Sequence, residues 1–148
     1  MRLVDAHCHL ESEHFSSDLE GIIGRARDAG IVKLITAAIT PEQWQRSRSL
    51  SERFSEVEYT MGIHPWYIDE SYRADIPSLA DAVARGAVAI GEIGLDRKSE
   101  VVDFSLQREF FERQLAIARE INLPVVIHCR GAFKDRKSTR LNSSHVSQ

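Results

Sequence analysis

Five short apolar runs, each followed by a segment with helical spacing, most constrain what this chain can fold into. The runs are "RLVDAHC", "IVKLITAA", "EVEYTMGIHPW", "GAVAIGEIGLD" and "LPVVIHCR". They are rich in β-branched residues and apolar on both faces, as strands are when helices cover both sides of a parallel sheet. The intervening segments repeat their apolar residues at three and four. Leu19, Ile22, Ile23 and Ala26 mark a first helix, with Ser17 or Asp18 as cap and Gly30 as stop. Thr40, Pro41 and Gln43 read as N-cap, first turn and capping box of a second. Ile76, Leu79, Ala80 and Val83 mark a third, and the longest spans about residues 105–121 with Phe111, Leu115 and Ala118 on its core side.

Two α/β architectures fit this alternation: an open doubly wound sheet and a (β/α) barrel. A doubly wound nucleotide binder should carry a glycine-rich turn after its first strand. Here that turn reads "CHLESEHF". His9, His64, Glu92 and His128 instead all fall at or near the C-terminal ends of strands, the face where barrel active sites sit. The expected fold is therefore a truncated (β/α)8 TIM-type barrel with about five strands and four helices, since a complete one takes about 250 residues and this chain has 148.

The polar residues on those strands carry the chemistry. In an extended strand, residues two apart share a face, so the imidazoles of His7 and His9 can converge on one point. Glu92 interrupts an apolar strand, where a carboxylate is costly to bury unless it meets a cation. With His128 these residues form a mixed nitrogen and oxygen donor set suited to one or two divalent ions, with magnesium, manganese and zinc all compatible. Asp5 shares the strand face of His7 and is placed to orient a ligand imidazole. The net charge of −3 excludes a broad basic surface for nucleic acid, so any such binding is local to a site. No run is long and apolar enough for a membrane span or a signal peptide, so the reading is a soluble cytoplasmic protein with no membrane or protein partner implied. Cys8 and Cys129 read as small buried thiols. His14 reads as a solvated loop residue, Trp44 and Trp66 as packing residues, with base stacking kept open for Trp66 because it lies close to His64, and Asp96 as a turn residue.

"DAHCHL", "GIHPW", "GEIGLD" and "PVVIHCR", in that order with helices between them, resemble the TatD-type metal-dependent deoxyribonucleases, a family of amidohydrolase-like barrels. The resemblance covers about residues 1–135. It implies that His7 and His9 hold one divalent metal, that Glu92 bridges to a second as the catalytic carboxylate, and that His128 helps bind that second ion. It places His64 and Arg130 against a DNA or other phosphodiester substrate, cleaved with a metal-activated water. It also implies a further histidine and an aspartate on later strands. Arg97 and Lys98 depart from the family, which carries aromatic residues after the aspartate of "GLD". Two other readings stay open: a barrel acting on a small molecule, and a non-catalytic scaffold.

The end of the chain differs in kind. "DRKSTRLNSSHVSQ" has no hydrophobic period, and Asp135 to His145 resemble the in-frame translation of a sequencing-library adapter. Residues 1–134 are accordingly read as the N-terminal part of a hydrolase barrel, expected to be inactive without its remaining ligands. Residues 135–148 are read as a non-native, disordered tail.

Overall fold

The computed structural model describes residues 2–133, so the expectation for the tail lies outside the described residues. Strands β1 (Leu3–Cys8), β2 (Ile31–Ala38), β3 (Val57–Met61), β4 (Ala89–Asp96) and β5 (Val125–Arg130) alternate with helices α1 (Leu19–Asp28), α2 (Pro41–Arg53), α3 (Ile76–Val83) and α4 (Phe104–Glu120). The strands are all parallel and lie in chain order, a curled half-barrel with the five strands and four helices expected. This order places every strand exit on one edge of the sheet.

The helix boundaries have local causes. Gly30, at φ 89°, takes the left-handed turn that ends α1. Pro41 opens α2, but the Thr40 side chain makes no capping bond. Gln43 Oε1 accepts from the amide of Ile39, one residue before the position a capping box would use. Asp103 caps α4 by accepting from the amides of Ser105 and Leu106 at 2.8 and 3.3 Å.

The larger core lies between β3, β4 and the helices α2 to α4, where Ile90, Ile93, Phe110 and Phe111 are buried. Each of these side chains contributes about 1.5–3 kcal/mol by leaving water. A smaller cluster, including Leu19, Ile23, Leu34 and Leu50, seats α1 and α2 on β2. β1 is more open, with Leu3 and Val4 exposed.

β3 stops at Met61, three residues before the expected end at His64. The reason lies in what takes up the backbone groups beyond it. The Gly62 carbonyl accepts from Trp44 Nε1 at 3.1 Å, and His64 N donates to the Ile39 carbonyl at 3.0 Å. Ile63 is gripped by buried Gln114, whose Oε1 accepts from its amide at 2.7 Å while Nε2 donates to its carbonyl at 3.2 Å. Gln107, two turns earlier on α4, does the same at the end of β4. Its Oε1 accepts from Asp96 N at 2.7 Å and its Nε2 donates to Asp96 O at 3.1 Å.

Candidate metal centre

Glu92 owes its aim to an irregularity in β4. Ile90 pairs with Val125 and Ile93 with Ile127, so three steps on β4 oppose two on β5. The extra residue is a bulge, which turns a side chain that a regular ladder would place elsewhere. Gly94 permits the close approach that follows. A Cβ there would lie 1.9 Å from the carbonyl oxygen of His128.

The turned carboxylate meets histidines from three other segments. Oε2 lies 3.1 Å from His7 Nε2 on β1. Oε1 lies 3.1 Å from His128 Nδ1 on β5 and 3.7 Å from His64 Nε2 in the loop after β3. His7, His9 and Glu92 form one group whose ligand atoms lie within 4.8 Å of one another; His64, Glu92 and His128 form a second, joined through the same carboxylate. Burial works to raise the pKa of Glu92. A hydrogen bond from His64, with the electrostatic pull of His64, His7 and His128, outweighs it and holds the group down at about 2.

For His64, His9 and His128 the outer partners of the ring assign its proton. His64 Nδ1 accepts from the amide of Trp66 at 3.1 Å, so the neutral ring carries its hydrogen on Nε2, facing Glu92. That nitrogen is a donor and not a ligand atom, which separates His64 from the rest of its group despite its proximity. His9 Nδ1 lies 3.0 Å from both Glu11 Oε1 and the Ala37 carbonyl, and donating there leaves the Nε2 lone pair available. The bond to Glu11 raises the pKa of His9 against the opposing effect of burial. His128 Nε2 lies 3.0 Å from Asp96 Oδ2, which leaves Nδ1 for the Glu92 side. These imidazole and carboxylate donors fit a divalent cation: two rings keep a lone pair inward while a carboxylate or carbonyl holds the outer N–H.

Two carboxylates of the site were missed by reading the sequence. Glu11 is buried, bonding His9 with one oxygen and the Thr36 hydroxyl with the other. Its signal was the spacing 7, 9, 11. Asp96 is not a turn residue but the buried last residue of β4, accepting from Trp66 Nε1 at 2.6 Å and from Lys98 N at 2.8 Å. Burial opposes its ionisation, yet hydrogen bonds from Trp66 and His128 hold its pKa at about 2. Asp5 departs from expectation in the other sense. Its Oδ1 accepts from the backbone amide of His7 at 3.2 Å, so its contact is with the chain and not with an imidazole.

A cavity of about 450 Å³ stands over the cluster, with His9, Glu11, His64, Trp66, Glu92 and His128 in its wall. His14 is exposed at its rim. Arg130 lines a neighbouring hollow, its Nη1 3.8 Å from Asp96 Oδ2. Trp44 is buried, as packing requires, whereas Trp66 keeps 42% of its surface exposed. Both cysteines are free and half-buried, and burial first of all pushes the Cys8 thiol up to about 12.

The family described as TatD related DNase matches residues 4–144. The chain belongs to that family. A relative named as the uncharacterized metal-dependent hydrolase YjjV of Escherichia coli K12 is 33% identical over 132 residues, covering 87% of this chain and 51% of the relative. The protein named 3'-5' ssDNA/RNA exonuclease TatD of Pantoea ananatis is 35% identical over 135 residues, covering 89% and 52%. The crystal structure of E. coli YjjV superposes with a TM-score of 0.86 at 28% identity, over 96% of this chain and 56% of that one. A TatD family hydrolase from Entamoeba histolytica shares the fold, at TM-score 0.85 and 19% identity, over 98% and 55%. This TatD-family chain thus spans about half the length of the relatives it matches. Among its described residues no helix is long and apolar enough to cross a membrane.

Proposed function

We propose that this chain contributes the first part of a divalent-metal-dependent phosphodiesterase site acting on nucleic acid. The observation that carries the reading is Glu92, which sets one oxygen beside His7 and the other beside His128, each at 3.1 Å, as a carboxylate shared between two ligand groups would. In this reading His7, His9, Glu92 and His128 hold one or two cations, and Asp96 fixes the ring of His128 as Glu11 fixes that of His9. A bound divalent ion supplies charge to polarise a phosphoryl oxygen and to acidify water. His64 offers its Nε2–H from the wall of the cavity as a donor toward a substrate oxygen, and Arg130 offers a fork suited to phosphate. The exonuclease named among the relatives supports nucleic acid as the substrate class.

These four donors are the share held by β1, β4 and β5 together with the residue after β1. Turnover is proposed to need further ligands from later strands, so this chain alone is expected to bind metal without hydrolysing single-stranded DNA. Calorimetric titration with manganese tests the first part, with Glu92→Gln expected to weaken binding at least tenfold. An identical isotherm for the variant would remove Glu92 from the metal site, and robust turnover by the chain would refute the need for further ligands.

A further inference from the structure

Trp66 holds a place that packing alone does not explain. It keeps 42% of its surface exposed, whereas Trp44 keeps 7%. Yet its indole N–H runs inward to Asp96, a residue with no exposed surface, and donates to Oδ2 at 2.6 Å. We propose that Trp66 is the positioning residue of the His64, Glu92 and His128 group, its side chain setting His128 through Asp96 while its backbone amide sets His64. The inference rests on the metal reading of the cluster and adds to it a residue that supplies no ligand atom.

The side-chain route runs through one oxygen. Asp96 Oδ2 lies 2.6 Å from the indole nitrogen and 3.0 Å from His128 Nε2, while Oδ1 accepts from the amide of Lys98 at 2.8 Å. A carboxylate oxygen has two lone pairs, so indole and imidazole take one each and the carboxylate is fixed from three directions. Without the indole bond, its plane can turn about the Lys98 contact, and the His128 N–H loses an acceptor of fixed direction. Arg130 Nη1, 3.8 Å from Oδ2, is too distant to replace that bond. The His128 proton is then no longer confined to Nε2, and a proton on Nδ1 would face Glu92 in place of a lone pair.

The backbone route is direct, because the amide of Trp66 donates to His64 Nδ1 at 3.1 Å. The two rings so fixed both approach Glu92 Oε1, at 3.7 Å from His64 and 3.1 Å from His128, with their centroids 4.4 Å apart. The indole is braced against the rings it orders, edge-on to His64 at 80° and to His128 at 70°. Glu92 Oε2 faces His7 on the other side, and there the outer support comes from Glu11, through His9. Each side of the shared carboxylate thus has its own support, and Trp66 serves the Oε1 side.

Long-range proton–nitrogen correlation spectra of the imidazoles, recorded on the full chain in EDTA above the imidazole titration range, test this without metal. The parent chain is expected to show His128 protonated at Nε2 alone. Trp66→Phe, which keeps a ring and loses the N–H, should show a measurable fraction protonated at Nδ1. Trp44→Phe is the comparison, because it removes the indole bond to the Gly62 carbonyl at the start of the same loop; it should lower stability and leave His128 unchanged. Manganese calorimetry gives a second readout. Trp66→Phe should weaken binding about tenfold, but by no more than about twofold when added to Asp96→Asn, since it acts through that carboxylate. An unchanged His128 tautomer in Trp66→Phe, an equal change in Trp44→Phe, or full additivity with Asp96→Asn overturns the proposal. A shifted tautomer in Trp66→Phe beside a parent chain that binds no manganese would instead count against the metal reading and leave the positioning role standing.

Discussion

At the scale of single residues, the decisive features are the outer partners of the histidines. Glu11 is expected to act on metal through His9, since its carboxylate accepts the Nδ1 proton and so keeps Nε2 free. Glu11→Gln should therefore lower manganese affinity about 10- to 100-fold while leaving the far-ultraviolet circular dichroism spectrum unchanged. A metal isotherm indistinguishable from that of the parent chain would show that the Ala37 carbonyl suffices. His7, His9, Glu92 and His128 could be picked out in sequence because each is a polar residue in or at the end of an apolar run. Glu11 and Asp96 could not. Each sits where a strand passes into a polar stretch, and there a carboxylate is the ordinary solvated residue; only the folded chain buries them. The tautomer of His64 was equally invisible, because it depends on an amide of a loop that turns back after Pro65.

At the scale of elements, β4 and α4 make separate predictions. Gly94→Ala would drive a methyl group into the His128 carbonyl, at a position whose φ of 152° side chains rarely adopt. The β4–β5 ladder must part to admit it, so a loss of ~4 kcal/mol or more is expected, at the severe end of single substitutions, measurable by urea unfolding. α4 begins on the Asp103 carboxylate, whose pKa is lowered first by the Ser105 hydroxyl and then by the amides of Ser105 and Leu106. A depressed carboxylate stabilises above its unfolded pKa of about 3.9, and that stability is lost as pH falls through the folded value. The first turn of α4 should thus loosen below about pH 4, seen as faster hydrogen exchange at Leu106, and Asp103→Asn should flatten this dependence because Asn caps without charge. Pattern alone located all five strands and four helices, since continuous apolar runs and a spacing of three to four are local. It overextended β3, because the backbone partners of residues 62–64 come from Trp44, Ile39 and Gln114, distant in sequence.

At the scale of the whole molecule, the barrel reading followed from polar residues collecting at strand exits, a property that survives without knowledge of any contact. The open sides of the sheet are the cost of this arrangement: among the described residues β1 and β5 each pair on one side only, and Val4 on β1 is 56% exposed. Such edges recruit other strands. The chain is expected to self-associate at micromolar concentrations, and Val4→Lys should reduce this association by placing charge on the edge, as sedimentation velocity can check. α4 imposes a different kind of constraint. Gln107 and Gln114 stand seven residues apart, two helical turns or about 10.5 Å, and each hooks the backbone of a different wall of the site. The helix therefore works as a ruler. A single residue inserted between the two glutamines would swing one of them about 100° around the axis and release one wall. The length of this outer helix, which supplies no ligand atom itself, is thus as tightly specified as the histidines themselves.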